Sequence, residues 1–195
     1  METTVDFFKL KHNSTKPEQG SILISEPFSD DSFFRRSVIL LVEQNDTGTV
    51  GFILNKPIKY SLSKISTEFG DFDGSVCFGG PVNNDNIYYI HTLGEIIPGS
   101  VEIKTGLFWG GDFDILQKMI KSGAVTNKQI RFFVGYSGWD KGQLSGEIQK
   151  DFWLVSNIKN NIIMNFDKEI WEKAMLKLPT KYKIWANFPE IPAFN

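Results

Sequence analysis

Three apolar runs of strand length mark the first third of the chain, at residues 21–25, 37–44 and 49–54. The second is aliphatic on both faces, as a strand covered on both sides of its sheet must be. Between the second and third, Asn45-Asp46-Thr47-Gly48 supplies the left-handed positions of a hairpin turn, so these two runs pair antiparallel. Gly51 inside the third allows a bulge or a close backbone approach, and Asn55-Lys56-Pro57 stops it. The rest of the chain reads as further layers on this buried sheet.

Short strands are expected at 75–78 and 86–91. Residues 101–104 alternate apolar with charged, which predicts a half-exposed strand, and 107–109 read as its continuation past Gly106. Ser61 can cap a short helix presenting Leu62, Ile65 and Phe69 and ending at Gly70. The clearest helix starts at Asp112, with Ile115, Leu116, Met119 and Ile120 in one stripe and Gly123 closing it. A buried strand at 130–134 opens into the glycine-rich segment 135–144, followed by a helix at 143–150 and a strand at 152–155. Asp167 caps a last helix that turns Ile170, Trp171, Ala174, Met175 and Leu178 inward. Past Pro179, the rings Tyr182, Trp185, Phe188 and Phe194 with Pro189 and Pro192 read as an extended arm lying on an apolar surface. Residues 1–19 are thus an N-terminal arm, 20–178 one domain and 179–195 an aromatic, proline-bearing tail.

Composition narrows the function classes. Hydrophobic residues make up 41% and charged ones 23%, ordinary values for a globular domain. The net charge is −2, and among 21 basic residues only Arg35, Arg36 and Arg131 are arginines. Phosphate contacts drive non-specific nucleic-acid affinity, and no basic face is segregated here, so direct DNA binding is not expected. Cys77 is the single cysteine, which rules out an internal disulfide. Together with the lack of an apolar leader it points to the cytoplasm. The longest apolar runs fall far short of the ~20 residues that span a bilayer.

Candidate chemistry is mostly excluded by spacing. Gly135-x-Ser137 begins like a nucleophile elbow, but Trp139 stands where that motif needs glycine. Counting a phosphate loop from Gly135 puts Asp140 at its second glycine and Gly142 at its magnesium-binding hydroxyl. The stretch 131–136 echoes the aromatic strand of an RNA-recognition motif without its glycine-aromatic start. Asp71-Phe72-Asp73-Gly74 brings glycine too early for a calcium loop and puts Val82 where the bidentate glutamate belongs. Cys77 and His91 have no companions at metal-ligand spacing, and His12 lies in the arm, so neither metal nor cofactor is expected. Two stretches keep two readings each. In the loop before residue 37, phenylalanines plug a sheet edge while charges stay wet, or Arg35 and Arg36 offer forks to an anionic group. Gly79-Gly80-Pro81 is a tight turn, or a nest of amides facing an anion.

Taken together, Gly20-Ser-Ile-Leu-Ile-Ser25, Phe33-x-x-x-Ser37-Val38, Gly51-Phe-Ile-Leu-Asn55-Lys-Pro57, Phe78-Gly-Gly-Pro-Val82, Gly135-Tyr-Ser-Gly-Trp139 with Gly142-Gln-Leu144, and Trp153-Leu154 resemble the YqgE/AlgH family. The resemblance covers roughly residues 20 to 178. It implies an α+β fold, with a strongly curved, mainly antiparallel, barrel-like sheet flanked by helices in a single domain. It implies no established enzymatic activity, and a transcriptional-regulator label that no DNA-binding motif here carries. Similar proteins commonly have alanine at the position of Ser137. Cys77 and the aromatic tail depart from the family pattern. The leading expectation is a cytoplasmic binding protein, with Asn55, Gly79, Gly80, Pro81, Tyr136, Trp139 and Gln143, and with Arg35 and Arg36, around a small anionic ligand or a peptide of a partner protein. The alternative is an enzyme of unrecognised type that draws on Asp140, His91 or Arg35.

Overall fold

Strand β8 (Ile130–Asp140) is the spine of the structure. The computed structural model describes residues 15–187 apart from Phe28 and Asp30. Eight further strands join β8: β1 (Ile22–Ser25), β2 (Val38–Gln44), β3 (Gly48–Ile53), β4 (Val76–Phe78), β5 (Val82–His91), β6 (Val101–Lys104), β7 (Leu107–Trp109) and β9 (Trp153–Ser156). The sheet order is β6-β7-β5-β8-β3-β2-β1-β9, and β4 pairs with β8 off that path. Every pairing is antiparallel except β4 beside β8. The fold is a single α+β domain.

Period-two alternation distributes the strands' side chains between two faces. Ile22, Ile24, Val38, Leu40, Phe52 and Phe133 enter one core, where they meet Ile170, Trp171, Ala174 and Met175 of helix α5 (Ile170–Lys177). Leu23, Ile39, Leu41 and Ile53 enter another, covered by Leu144 and Ile148 of α3 (Gln143–Gln149). Phe132 faces a third, under α1 (Leu62–Ile65), the 3-10 turn Thr67–Phe69 and α2 (Phe113–Lys121). Burying one such aliphatic or aromatic side chain contributes about 1.5–3 kcal/mol, so covering both faces is what holds the sheet.

The sheet curls without closing into a barrel. Edge strands β6 and β9 share no ladder. Side chains link β6 and its turn to the segment that follows β9 instead: Lys104 Nζ donates to Ile158 O at 2.6 Å, and Asn160 Nδ2 of α4 donates to Thr105 O at 2.9 Å. Burial holds the Lys104 ammonium below its ordinary pKa. Curvature comes from register shifts between Leu41 and Glu43 and between Val82 and Ile87, and from Gly135, whose φ of +67° kinks β8.

Several elements differ from the sequence expectations. The segment 107–109 does not continue β6; it turns back at Gly106 (φ +76°) and pairs with it antiparallel. Strand β8 does not end at Val134 but runs on through the glycine-rich stretch to Asp140, because β3 supplies a partner there. The last long helix is not capped by the Asp167 side chain at its first turn. That carboxylate accepts from Glu169 N and pairs with Lys173 Nζ at 2.7 Å, which lowers its pKa. The stretch after Pro179 is helical as α6 (Thr180–Ala186), with Tyr182 and Trp185 buried in the same core as α5. Helix α4 (Asn160–Met164) has no counterpart in the hydrophobic pattern. The arm at 1–14 and the rings Phe188 and Phe194 lie outside the described residues.

Candidate functional site

The Gly79-Gly80-Pro81 stretch is a crossing. Chain leaving β4 on one edge of β8 passes over that strand to become β5 on the other edge. Backbone must ride on backbone there. A Cβ on Gly79 would lie 2.2 Å from Gly135 O, and one on Gly80 (φ +153°) would lie 2.2 Å from Tyr136 C. A Cβ on Gly135 would lie 2.4 Å from Gly80 O. The polar groups of Gly79 are used internally. Its N–H donates to Val134 O at 2.8 Å, and its carbonyl accepts from Ile53 N at 3.0 Å and from Ser137 Oγ at 3.1 Å. Ser137 is fully buried and acts as a clamp on the crossing.

Arg35, Arg36 and Asn55 come together at an open cleft of about 710 Å³, with Lys56, Lys168 and Glu172 also in its walls. Asn55 is the hinge of this arrangement. Its Oδ1 accepts from Val38 N at 3.0 Å, and its Nδ2 donates to Arg36 O at 2.8 Å. One amide thereby closes the turn that delivers the chain into β2, and Arg36 sits in that turn with φ of 51°. The Arg36 guanidinium stacks over Trp171 at 4.8 Å and faces Glu172 at 3.8 Å. Arg35 is exposed and donates Nε to Ser29 O at 2.8 Å. Glu169 is partnered from outside the cleft by Lys173 at 3.4 Å.

Trp139 and Gln143 belong to a second, more enclosed cleft of about 440 Å³, together with Phe34, Glu147, Phe152 and Trp153. Glu147 organises it. Its Oε2 accepts both indole N–H groups, from Trp139 and from Trp153, each at 2.8 Å. Its Oε1 accepts from Gln143 Nε2 at 2.9 Å, while Gln143 Oε1 accepts from Asp140 N at 3.0 Å. Helix α3 places Gln143 and Glu147 one turn apart, so both side chains reach the same side.

The nine residues expected to share a site therefore fall in separate places. Tyr136 packs into the core opposite that of Trp139 and edge-on to Tyr88 at 5.6 Å; Tyr136 and Trp139 meet at the walls of a small hollow of about 300 Å³, which Val82 and Asp140 also line. The residues of the enzyme alternative are also apart. His91 is fully buried opposite Ile130, and Asp140 lies ten residues farther along β8, about 30 Å of strand. His91 Nδ1 accepts from Leu93 N at 3.3 Å, and Nε2 donates to Gly110 O at 3.1 Å; burial lowers its pKa. Cys77 is equally buried, with Arg131 Nη2 at 3.3 Å from its sulfur. Burial pushes that thiol up against the pull of the guanidinium. Among the described residues no three His, Cys, Asp or Glu side chains converge on a metal position, and no helix is long and apolar enough to cross a membrane.

A family model described as AlgH-like matches residues 22–183. The chain belongs to the AlgH-like family. It is 43% identical over 197 residues to a UPF0301 protein of Bacteroides thetaiotaomicron, with both chains covered in full. A UPF0301 protein of Chlorobium limicola is 36% identical, covering 92% of this chain and 97% of its own. The fold is similar to that of a Corynebacterium diphtheriae protein (TM-score 0.74, 20% identity, 92% and 95% covered). It is also similar to that of AlgH from Pseudomonas aeruginosa (TM-score 0.69, 24% identity, 91% and 98% covered).

Within this AlgH-like chain the structure adds functional candidates that the pattern does not single out. Lys56 and Lys168 join the first cleft, from segments 112 residues apart that only the fold brings together. Glu147, Trp153 and Phe34 join the second. The one available signal is the Gln143, Glu147 spacing on α3, flanked on either side by Trp139 and Trp153. Arg131, 1% exposed, has no motif signal at all; its guanidinium donates to Leu54 O at 2.7 Å and to Ile163 O.

Proposed function

We propose that this AlgH-like chain is a cytoplasmic binding protein with no reaction machinery of its own, acting as an indirect regulator. Its first cleft holds the anionic group of a small ligand or peptide. One observation supports this: Arg35, Arg36, Lys56 and Lys168 share a single open cleft, and its two carboxylates already face cations, Glu172 toward Arg36 and Glu169 toward Lys173. Arginine forks and lysine ammonium groups around one hollow suit phosphate or carboxylate oxygens. The regulator role is what the YqgE/AlgH resemblance implies, and we take it to rest on ligand or partner binding, since the sequence segregates no basic face for a duplex.

The test is a thermal-shift and calorimetric titration with inorganic pyrophosphate and with a phosphoserine peptide. A specific anion at a hundred times its Kd stabilises the fold by about 2.7 kcal/mol. The shift should shrink with salt and disappear in the Arg35→Ala, Lys168→Ala double variant. A shift that persists in that variant, or no shift with either anion, removes the cleft from the proposal. Duplex DNA of random sequence should give no gel shift at low salt.

A further inference from the structure

The second cleft differs from the first in what forms its walls. Phe34, Trp139, Phe152 and Trp153 line it. The Trp153 ring stands nearly perpendicular to Trp139 (83°, centroids 6.0 Å) and to Phe34 (80°, 5.6 Å). Trp139 and Trp153 are buried and spend part of their ring faces on these edge-to-face contacts, so the open ring surface toward an organic cation is that of half-buried Phe34 and of Phe152. The charges complement this. Glu26, Asp31 and Glu147 line the hollow, and among the described residues no lysine or arginine does. Glu147 is held by three neutral donors, two indoles and an amide, which fix the carboxylate in place without cancelling its charge. Asp31 Oδ1 accepts the backbone N–H of Phe33 at 2.8 Å.

We propose that this cleft receives a lysine or arginine side chain of a partner protein. Apolar surface at the edge of the hollow favours a protein over a free small cation. Phe152 is 49% exposed at its rim. A protein partner covers such a ring, whereas a lone cation leaves it in water. The entering side chain lays its alkyl stem against Phe152 and brings its charged head to the ring faces and Glu147. This inference does not rest on the anion cleft, and either can fail alone.

The test follows the indole N–H resonances of Trp139 and Trp153 in nitrogen-15 spectra. The probes are blocked pentapeptides with a central arginine, lysine or citrulline between glycines, and tetramethylammonium. The arginine and lysine peptides should shift both indoles saturably, and citrulline, which keeps the shape and loses the charge, should bind roughly tenfold more weakly. Glu147→Gln should weaken the arginine peptide by a similar factor. Because that change can also slacken the indoles, Asp31→Asn and Phe152→Ala, both at exposed positions, should each weaken it severalfold with the fold intact. Pyrophosphate should leave these resonances in place. Equal binding of the citrulline peptide, tetramethylammonium binding without peptide binding, or no indole shift at about 10 mM peptide would each overturn the proposal.

Discussion

The loop from 26 to 36 divides two clefts of opposite character. Ser32, Arg35 and Arg36 turn to the cationic one, and Ser29, Asp31 and Phe34 to the aromatic one. In the cationic cleft much of the charge is already engaged: Arg36 lies on Trp171 and faces Glu172. A ligand there competes with the protein's own ion pairs. In the aromatic cleft the central carboxylate is held, among the described residues, by neutral N–H groups, so its charge remains for an incoming cation. The first is an adjustable electrostatic surface, and the second is preorganised. Preorganised sites lose less on binding, because the ordering was completed at folding.

The comparison breaks most severely at the crossing that supports both clefts. Gly80→Ala places a methyl carbon 2.2 Å from the Tyr136 backbone, where no side-chain rotation relieves it. The expected loss is on the order of 4 kcal/mol, read by urea denaturation, with both clefts disrupted. Wild-type stability in this variant would mean the crossing is loose and the clefts are independent of it. Asn55→Ala acts on one side only. It removes the bonds to Val38 N and Arg36 O, which costs about 2 kcal/mol. Val38 should exchange its amide hydrogen faster and anion affinity should fall, while the Trp139 and Trp153 indole resonances stay in place.

How much of this was legible in the chain follows from the range of each interaction. The hairpin of β2 and β3, the stripe of α2 and the α3 helix depend on neighbours within a few residues, and the pattern shows them. The same pattern reads Gly79, Gly80 and Gly135 as an exposed loop cluster, because glycine marks a turn and a backbone crossing alike; only the partner strand decides between them. Asn55 reads as a strand stop and a ligand contact, yet its amide is spent on Val38 and Arg36, 17 and 19 residues away in sequence. The division of the expected site into two clefts stayed hidden for a related reason. Ser29, Asp31 and Phe34 part from Ser32, Arg35 and Arg36 through loop geometry that follows no helical or strand period.

Acid tests the fold beneath both clefts. Burial keeps His91 neutral in the folded protein, so the unfolded chain binds the proton more readily. Stability is therefore full above the ordinary histidine value of 6.5 and falls as pH drops below it toward the lowered folded value. His91→Gln should flatten that slope in denaturant titrations at a series of pH values. His91 lines neither cleft, so weakened cation binding in acid counts for the aromatic cleft only where the His91→Gln background shows it too.

The smallest expected effect on stability separates the two clefts most cleanly. Arg35 is exposed, and its guanidinium donates Nε–H to the Ser29 carbonyl. Arg35→Ala should change unfolding free energy by no more than about 0.5 kcal/mol, as surface substitutions do. Anion affinity in the cationic cleft should nevertheless drop, while cation binding next to Trp139 stays the same or improves slightly as a nearby positive charge disappears. Calorimetric titrations of pyrophosphate and of the arginine peptide on this one variant measure both responses. A parallel loss of cation binding would mean that the loop couples the clefts, unchanged cation binding that it insulates them, and a slight gain that only the long-range field of Arg35 reaches across.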